Sequence, residues 1–512
     1  MVYIETNEEF SRWPPTVPVV PMSDTETDSK LTSLDSQCVD ETYDFVKHHN
    51  LSDAELDTKQ STRTTWKLDL YILPILCIIY FLQYLDKSLL NYAAAMGIKK
   101  NLEGNEFANL STIFYAAYIF GEPFVAVCLQ RYRLSWTLGI FVCCWGVVVA
   151  CHAACKTYAE LMVIRTLLGI FESSSAVGLI VISGMYYSKS QQAVRMGIWS
   201  VMAGTGTIVG GLLSFGFQHI RTTEFASWQI LFLVIGVITC LFGILIIFLL
   251  PDNVHKAKFL NDDDKRCVLA VVKENQTGTK STKFKMEQLK ELFFGDKFTW
   301  LYFLLTLTSQ IVTGAIGTFS VTITLTFGFD SYESALLQLP IGVLIIIIIM
   351  VATKLVAKYG HITYILTSMF IPTIIGAIVL LISPNRVGNI MALYLLFLGS
   401  CSITLIYVWI SSNTSGTSKK FFRSGLTMIA FSIACIIGPQ LFQAYSKPDY
   451  HPAKITILVT QIACIPITLF IGYLCKKENQ YRDENFSDVK LPPNHEFLDM
   501  TDIENKSFRY SY

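Results

Sequence analysis

Residues 228–250 read WQILFLVIGVITCLFGILIIFLL, 23 positions without a single Asp, Glu, Lys or Arg. At the α-helical rise this run is about 34 Å long, enough to cross a hydrocarbon core of about 30 Å. It stops at Pro251-Asp252-Asn253, where a polar stretch begins that runs to Lys297 and holds ten Lys/Arg. Eleven more runs of similar character surround it. Five precede it, near 70–95, 108–129, 134–154, 159–185 and 193–218. Six follow the polar stretch, near 298–325, 335–357, 364–383, 389–411, 422–444 and 452–475. The expectation is an all-α membrane protein of twelve transmembrane helices in two six-helix halves. The middle of the polar stretch, 262–273, is expected to form a short surface helix.

Composition agrees. Of 512 residues, 52% are hydrophobic and 16% charged, against roughly 25% charged in a soluble globule. Forty Lys+Arg balance forty Asp+Glu, so there is no basic excess with which to neutralise nucleic-acid phosphates. Residues 1–60 are different, with 13 acidic and 4 basic side chains, and read as an acidic tail without a core. The expected organisation is a disordered cytoplasmic tail 1–65, a helical half 66–250, a cytoplasmic central loop 251–297, a second half 298–475 and a cytoplasmic tail 476–512. No apolar segment in the first 60 residues resembles a cleavable signal, so the first helix must direct its own insertion. Most of the 13 cysteines fall inside apolar runs and read as small core residues.

Basic residues near the helix ends set the orientation. With the N-terminus inside, the short inner loops hold Arg131, Arg133, Lys189, Arg195, Lys354, Lys358, Lys419, Lys420 and Arg423. The outer loops hold Lys99, Lys100, Lys156, Arg221, Arg386, Lys447 and Lys454. That comparison is nearly even; the basic central loop, with Lys59, Arg63 and Lys67 before the first helix and Lys476 and Lys477 after the last, decides for cytoplasmic termini. The turn Gln130-Arg131-Tyr132-Arg133 in the first half corresponds to Ala357-Lys358-Tyr359-Gly360-His361 in the second. Such parallel repeats are the plan of major facilitator transporters, which hold substrate near the midplane between halves.

Charges inside the spans carry the chemistry, because each costs roughly 2.5–3.5 kcal/mol at a helix centre. The first helix holds Asp86-Lys87, the fourth Arg165 and Glu172. Positions seven apart share a helix face, about 10 Å apart along the axis. Carboxylates in such surroundings can bind and release a proton in a working pH range, while a cation can hold a substrate carboxylate. If both ligands compete for the same ion pairs, proton and anion bind together, by reciprocal linkage. Asp86 and Glu172 are the expected proton-coupling groups, and Arg165, Lys87 and Asn413 the expected substrate contacts. The alternative is that Asp86–Lys87 and Arg165–Glu172 are structural pairs. Glu122 beside Pro123, near the basic turn at Arg131, reads as a gate or inter-helix clamp. Asn413 equally fits a helix-end cap. Gly204, Gly206, Gly210 and Gly211 allow close helix contact in the fifth span. No nucleophile-elbow, zinc-protease, Walker or dinucleotide signature appears in a suitable context, so no enzyme, metal or cofactor is expected.

Arg165-Thr166-Leu167-Leu168-Gly169-Ile170-Phe171-Glu172 resembles the fourth-helix motif of the anion:cation symporters, a family of the major facilitator superfamily. Tyr118-Ile119-Phe120-Gly121-Glu122-Pro123 resembles their second helix. Trp228-Gln229-Ile230-Leu231-Phe232, Leu250-Pro251-Asp252-Asn253 and Ala335-Leu336-Leu337-Gln338-Leu339-Pro340 resemble the fungal allantoate permease branch. Leu85-Asp86-Lys87, Gly104-Asn105-Glu106-Phe107 and Thr501-Asp502-Ile503-Glu504-Asn505 resemble the thiamine-pathway members of that branch. The resemblance implies proton-coupled transport of small organic anions, with Asp86, Arg165 and Glu172 in the family's proton and carboxylate positions. Lys87 stands where relatives have arginine; a lysine lacks the bidentate fork, which leaves it as a charge partner for Asp86. A link to thiamine metabolism is implied.

The expected function is therefore proton-coupled uptake of a small carboxylate by a monomer. Its partners are the anion, the proton and the lipid bilayer. The expected site is the plasma membrane, with the endoplasmic reticulum the alternative. A non-transporting receptor and an uncoupled facilitator remain as alternatives.

Overall fold

The computed structural model describes residues 58–98, 102–219, 226–273, 284–382, 385–441, 451–486 and 499–512. Most of the acidic tail expected over 1–65 lies outside these residues, as do the loop cations Lys99, Lys100, Arg221 and Lys447.

Among the described residues, twelve helices are long and apolar enough to cross a membrane. They are α1 Thr62–Ala95, α2 Glu106–Arg131, α3 Leu134–Ala154, α4 Tyr158–Tyr186, α5 Gln191–Phe217 and α6 Ser227–Leu249 in the first half. The second half has α7 Lys297–Thr326, α8 Ser331–Tyr359, α9 Ile362–Ile382, α10 Arg386–Ser412, α11 Thr417–Gln440 and α12 His451–Asn485. The helix starts follow local chemistry. Thr157 with Glu160 forms a capping box at α4, and Asp330 with Glu333 forms one at α8. Gly360, at φ 72°, ends α8 in the left-handed conformation that a side chain disfavours. In the central loop, residues Asp262–Lys273 form the expected surface helix.

Two helices outrun their apolar segments. α1 begins before residue 70 because Asp69 is held by both nitrogens of an Arg195 fork, at 3.1 and 2.7 Å. α12 continues ten residues past the expected end at 475. Its polar extension is stabilised by the Arg482–Glu478 pair one turn apart, at 3.2 Å.

Glycines set the closest helix approaches. α3 and α6 meet at Gly146, Gly236 and Gly243, where an added Cβ would collide with the opposite backbone. The halves meet along α2–α11, α5–α8 and α1–α7. On α5 the contact is a stripe at seven-residue spacing: Gly197 faces Thr353, Gly204 faces Gly342, and Gly211 faces the Ala335 carbonyl. Of the glycines at 204–211, Gly204 and Gly211 thus mark a seam between halves, whereas Gly206 and Gly210 face α1.

One end of the bundle is tied by ion pairs. Asp252, just past α6, accepts from Arg133 Nε (2.9 Å), Ser135 N (3.1 Å) and Ser135 Oγ (2.7 Å). Asp264 of the surface helix binds Thr64 and Lys67 of α1. In the second half Lys419 is fully buried among Glu291 (2.6 Å), Asp296 (2.9 Å) and Asp502 (2.8 Å). Asp502 belongs to a C-terminal strap, 499–512, that folds back under this end. Arg482 donates to the strap carbonyls of Asp502, Asn505 and Phe508, and Trp409 Nε1 to that of Ser511 at 2.8 Å.

Candidate functional site

Between the halves lies a cavity of about 120 Å³, walled by α1, α2, α4 and α5 on one side and α7, α8, α10 and α11 on the other. The face that α1 turns to it carries Gln83, Lys87 and Asn91, spaced four residues apart and therefore stacked one turn above the next. α4 contributes Arg165 and Glu172, which share a face as the seven-residue spacing requires. The four-residue ladder on α1 is readable in the sequence, but charges alone single out only its middle rung.

The charge pairing differs from both local pairs of the sequence reading. Lys87 Nζ lies 3.3 Å from Glu172 Oε1, joining α1 to α4, and rests 5.2 and 5.4 Å from the Tyr118 and Phe431 ring centres. Asp86, its chain neighbour, points about 100° away around the helix and accepts from Trp145 Nε1 of α3 at 2.8 Å. Asp86 is therefore behind the cavity wall rather than on it, and Lys87 is not its partner in an ion pair. Arg165 is almost completely buried, and its guanidinium stands 5.6 Å from the Phe232 ring. The same ring stacks on His152 at 4.7 Å and meets Trp228 edge-on at 6.1 Å; neither His152 nor Trp145 was singled out by sequence.

Two further expectations change. Asn413 does not line the cavity. Its amide nitrogen donates to Tyr302 Oη (3.1 Å) and the Ser511 carbonyl (2.9 Å), and its oxygen accepts from Ser511 N (2.7 Å). It fastens the C-terminal strap, a partner nearly a hundred residues away that no local motif reveals. Glu122 makes no ion pair with Arg131 among the described residues. It is completely buried facing α11, where its Cγ would lie 3.4 Å from a Cβ at Gly425, whereas Arg131 is exposed. Nine helical residues put their backbones about 13 Å apart, and the approach Glu122 makes is instead across to α11 of the other half.

Several buried polar atoms of the wall make no hydrogen bond among the described residues: Arg165 Nε and Nη2, Gln83 Oε1 and Nε2, and Asn91 Oδ1. Interiors pair such groups almost without exception, so this density of unmet donors and acceptors marks a place built to receive a polar ligand. Hydrogen bonds cross between the halves at both ends of the cavity. Away from the central loop, Asn91 Nδ2 donates to Ser320 (2.8 Å), and the Ser111 and Thr318 hydroxyls are 3.2 Å apart. Toward the loop, Gln130 donates to Ser418 (2.8 Å) and Ser411 to Gln192 (2.9 Å). Few and neutral, these contacts can break and reform at low cost, as a ligand path requires.

Comparison with known proteins agrees with this geometry. Residues 76–439 match the Major Facilitator Superfamily. The thiamine pathway transporter of Saccharomyces cerevisiae is 56% identical, over 95% of this chain and 91% of its own. The allantoate permease of the same yeast is 30% identical, over 89% and 88% of the two chains. Among solved structures, a proton:xylose symporter of the superfamily superposes with TM-score 0.63 at 11% identity, covering 78% of this chain and 95% of that one, which is a likeness of fold alone. Twelve spans in two halves around a central polar cavity are thus matched by homology over most of the chain, which belongs to the major facilitator superfamily of multi-pass membrane transporters, on the branch that holds these two fungal proteins.

Proposed function

We propose that this transporter couples uptake of a small organic carboxylate to entry of a proton. The observation that carries the reading is the Lys87–Glu172 pair on the cavity wall, beside an Arg165 guanidinium with two unengaged donor nitrogens. A substrate carboxylate takes the free edge of Arg165 and competes with Glu172 for the Lys87 ammonium. Glu172, its cation withdrawn, takes up a proton, and Asp86 in the layer behind holds the field of Arg165 in balance. Anion and proton therefore enter together and leave together. The halves 66–250 and 298–475 are the two bodies that rock about the site, with 251–297 and both tails on the cytoplasmic side. We assign the carrier to the plasma membrane, acting as a monomer. The thiamine pathway relative supports an acid connected with thiamine metabolism.

The test is proton influx into proteoliposomes on addition of a panel of small carboxylates. Glu172→Gln should abolish gradient-driven accumulation and retain exchange of substrate across the membrane. Uphill uptake that survives the substitution unchanged would remove Glu172 from the coupling step. Flux that ignores an imposed pH gradient in the parent protein would leave the ion pair a structural one and the transporter an uncoupled facilitator.

A further inference from the structure

Of the three rungs of the α1 ladder, Lys87 carries the ion pair and Asn91 donates to Ser320, which leaves Gln83. It lines the cavity and is 2% exposed. Neither its amide nitrogen nor its amide oxygen has a hydrogen-bond partner among the described residues. A surface glutamine satisfies these atoms with water, and a structural one satisfies them with backbone. A buried carboxamide open on both atoms offers a donor and an acceptor side by side, in one plane, to whatever fills the cavity.

We infer that Gln83 is a specificity-determining residue: it reads a flat, neutral N–H/C=O edge on the transported acid, a lactam or primary carboxamide, through a two-point hydrogen bond. This rests on the carboxylate reading above and extends it from one end of the substrate to the other. The geometry also sets a length. Gln83 and Lys87 are four residues apart on one face, so their backbones are separated by about 6 Å along α1. With the carboxylate at the Lys87 level, the amide edge falls about 6 Å away, toward the central-loop end. The wall between them is aromatic, with Tyr80, Tyr84, Tyr115 and Tyr407 among the lining residues, and suits a planar or cyclic body. A site whose buried polar groups need partners rejects an analogue that lacks them far more strongly than an apolar pocket rejects a missing methylene.

The experiment is calorimetric binding to the purified full chain in detergent, using two ring acids of like size. One is 6-oxopiperidine-3-carboxylate, which carries a lactam edge. The other is cyclohexanecarboxylate, which does not. The lactam acid should bind at least tenfold more tightly, and the ratio should fall to near one in Gln83→Met, which keeps the side-chain length and removes both polar atoms. Gln83→Leu, a second apolar replacement that removes both donor and acceptor, should also lose the preference. The melting temperature of each variant shows that it is folded. Equal binding of the two acids to the parent, or a preference that persists in both variants, overturns the inference and leaves the carboxylate reading standing. Failure of both acids to bind the parent overturns the carboxylate reading and this inference with it.

Discussion

Replacing Gly342 by alanine tests the claim that the halves meet backbone to backbone along α5 and α8. A Cβ at residue 342 would lie 2.6 Å from the Gly204 carbonyl oxygen and 2.5 Å from Ile208 Cγ1. Ordinary van der Waals contact begins near 3.4 Å, so the backbone pair is short by 0.8 Å and the helices must part by about that distance. Ile208 can turn aside; the carbonyl cannot. Overpacking of this size costs about 1–3 kcal/mol. Against it stands the gain in helix propensity from glycine to alanine, about 1 kcal/mol. The control is Gly216→Ala, near the end of α5, where a Cβ meets nothing within 4 Å. That substitution keeps the gain without the clash, so the two alanines should differ by the clash itself. Melting in detergent is the assay: Gly342→Ala should melt below Gly216→Ala by an amount equivalent to about 1–3 kcal/mol, and should transport more slowly because the seam joins the halves. A Gly342→Ala protein that melts as high as the control and transports as the parent does would refute the seam.

Two further outcomes follow from the charged end of the bundle. Lys419→Met leaves Glu291 and Asp502 without the ammonium that neutralises them, and breaking a buried pair in this way costs about 3–5 kcal/mol; limited proteolysis should then release the C-terminal strap faster than from the parent, and an unchanged cleavage rate would refute the lock. The pH dependence should be one-sided. Burial alone would raise the carboxyls of Asp252, Asp264 and Asp502, but their partners outweigh it: Ser135 and Arg133 for the first, Lys67 and Thr64 for the second, Lys419 and Arg423 for the third. All three are held below 3.8. A carboxyl depressed on folding adds stability that is fully present above its unfolded value and disappears as pH falls through its folded one. Melting temperature should therefore change little on these groups' account from pH 7 to about 5 and drop below about 4; Asp502→Asn should flatten that drop, and a drop of equal size in the variant would exclude Asp502 as a source.

How much of this was readable beforehand depends on the range of the interaction. The spans were legible because hydropathy is a local sum, and α6 with no charge in its run is the plainest case. Arg165 and Glu172 were legible as one face because helical spacing fixes it. The partner of each charge was not. Asp86 and Lys87 are adjacent in sequence, and adjacency on a helix turns two side chains apart, one to Trp145 and one to Glu172. Asn413 looked like a cavity residue because its span faces the cavity; its partner, Ser511, sits in a strap whose docking depends on tertiary contacts alone. Gln83 was overlooked because it is uncharged, although its four-residue offset from Lys87 puts it on the same wall.

The docking of the strap 499–512 has a practical side. Ser511 is bonded through both its amide and its carbonyl, Tyr510 donates its hydroxyl to Asp502 at 2.8 Å, and Phe508 is completely buried. A fluorescent reporter or affinity handle fused directly after Tyr512 would hang from a segment wedged into the protein. Such a fusion risks prising the strap loose, and its observed location and activity would then describe a damaged carrier. The choice of membrane is best read with a label at the other terminus or on the surface of the central loop, and a functional comparison of the two labelled forms would measure what the strap contributes.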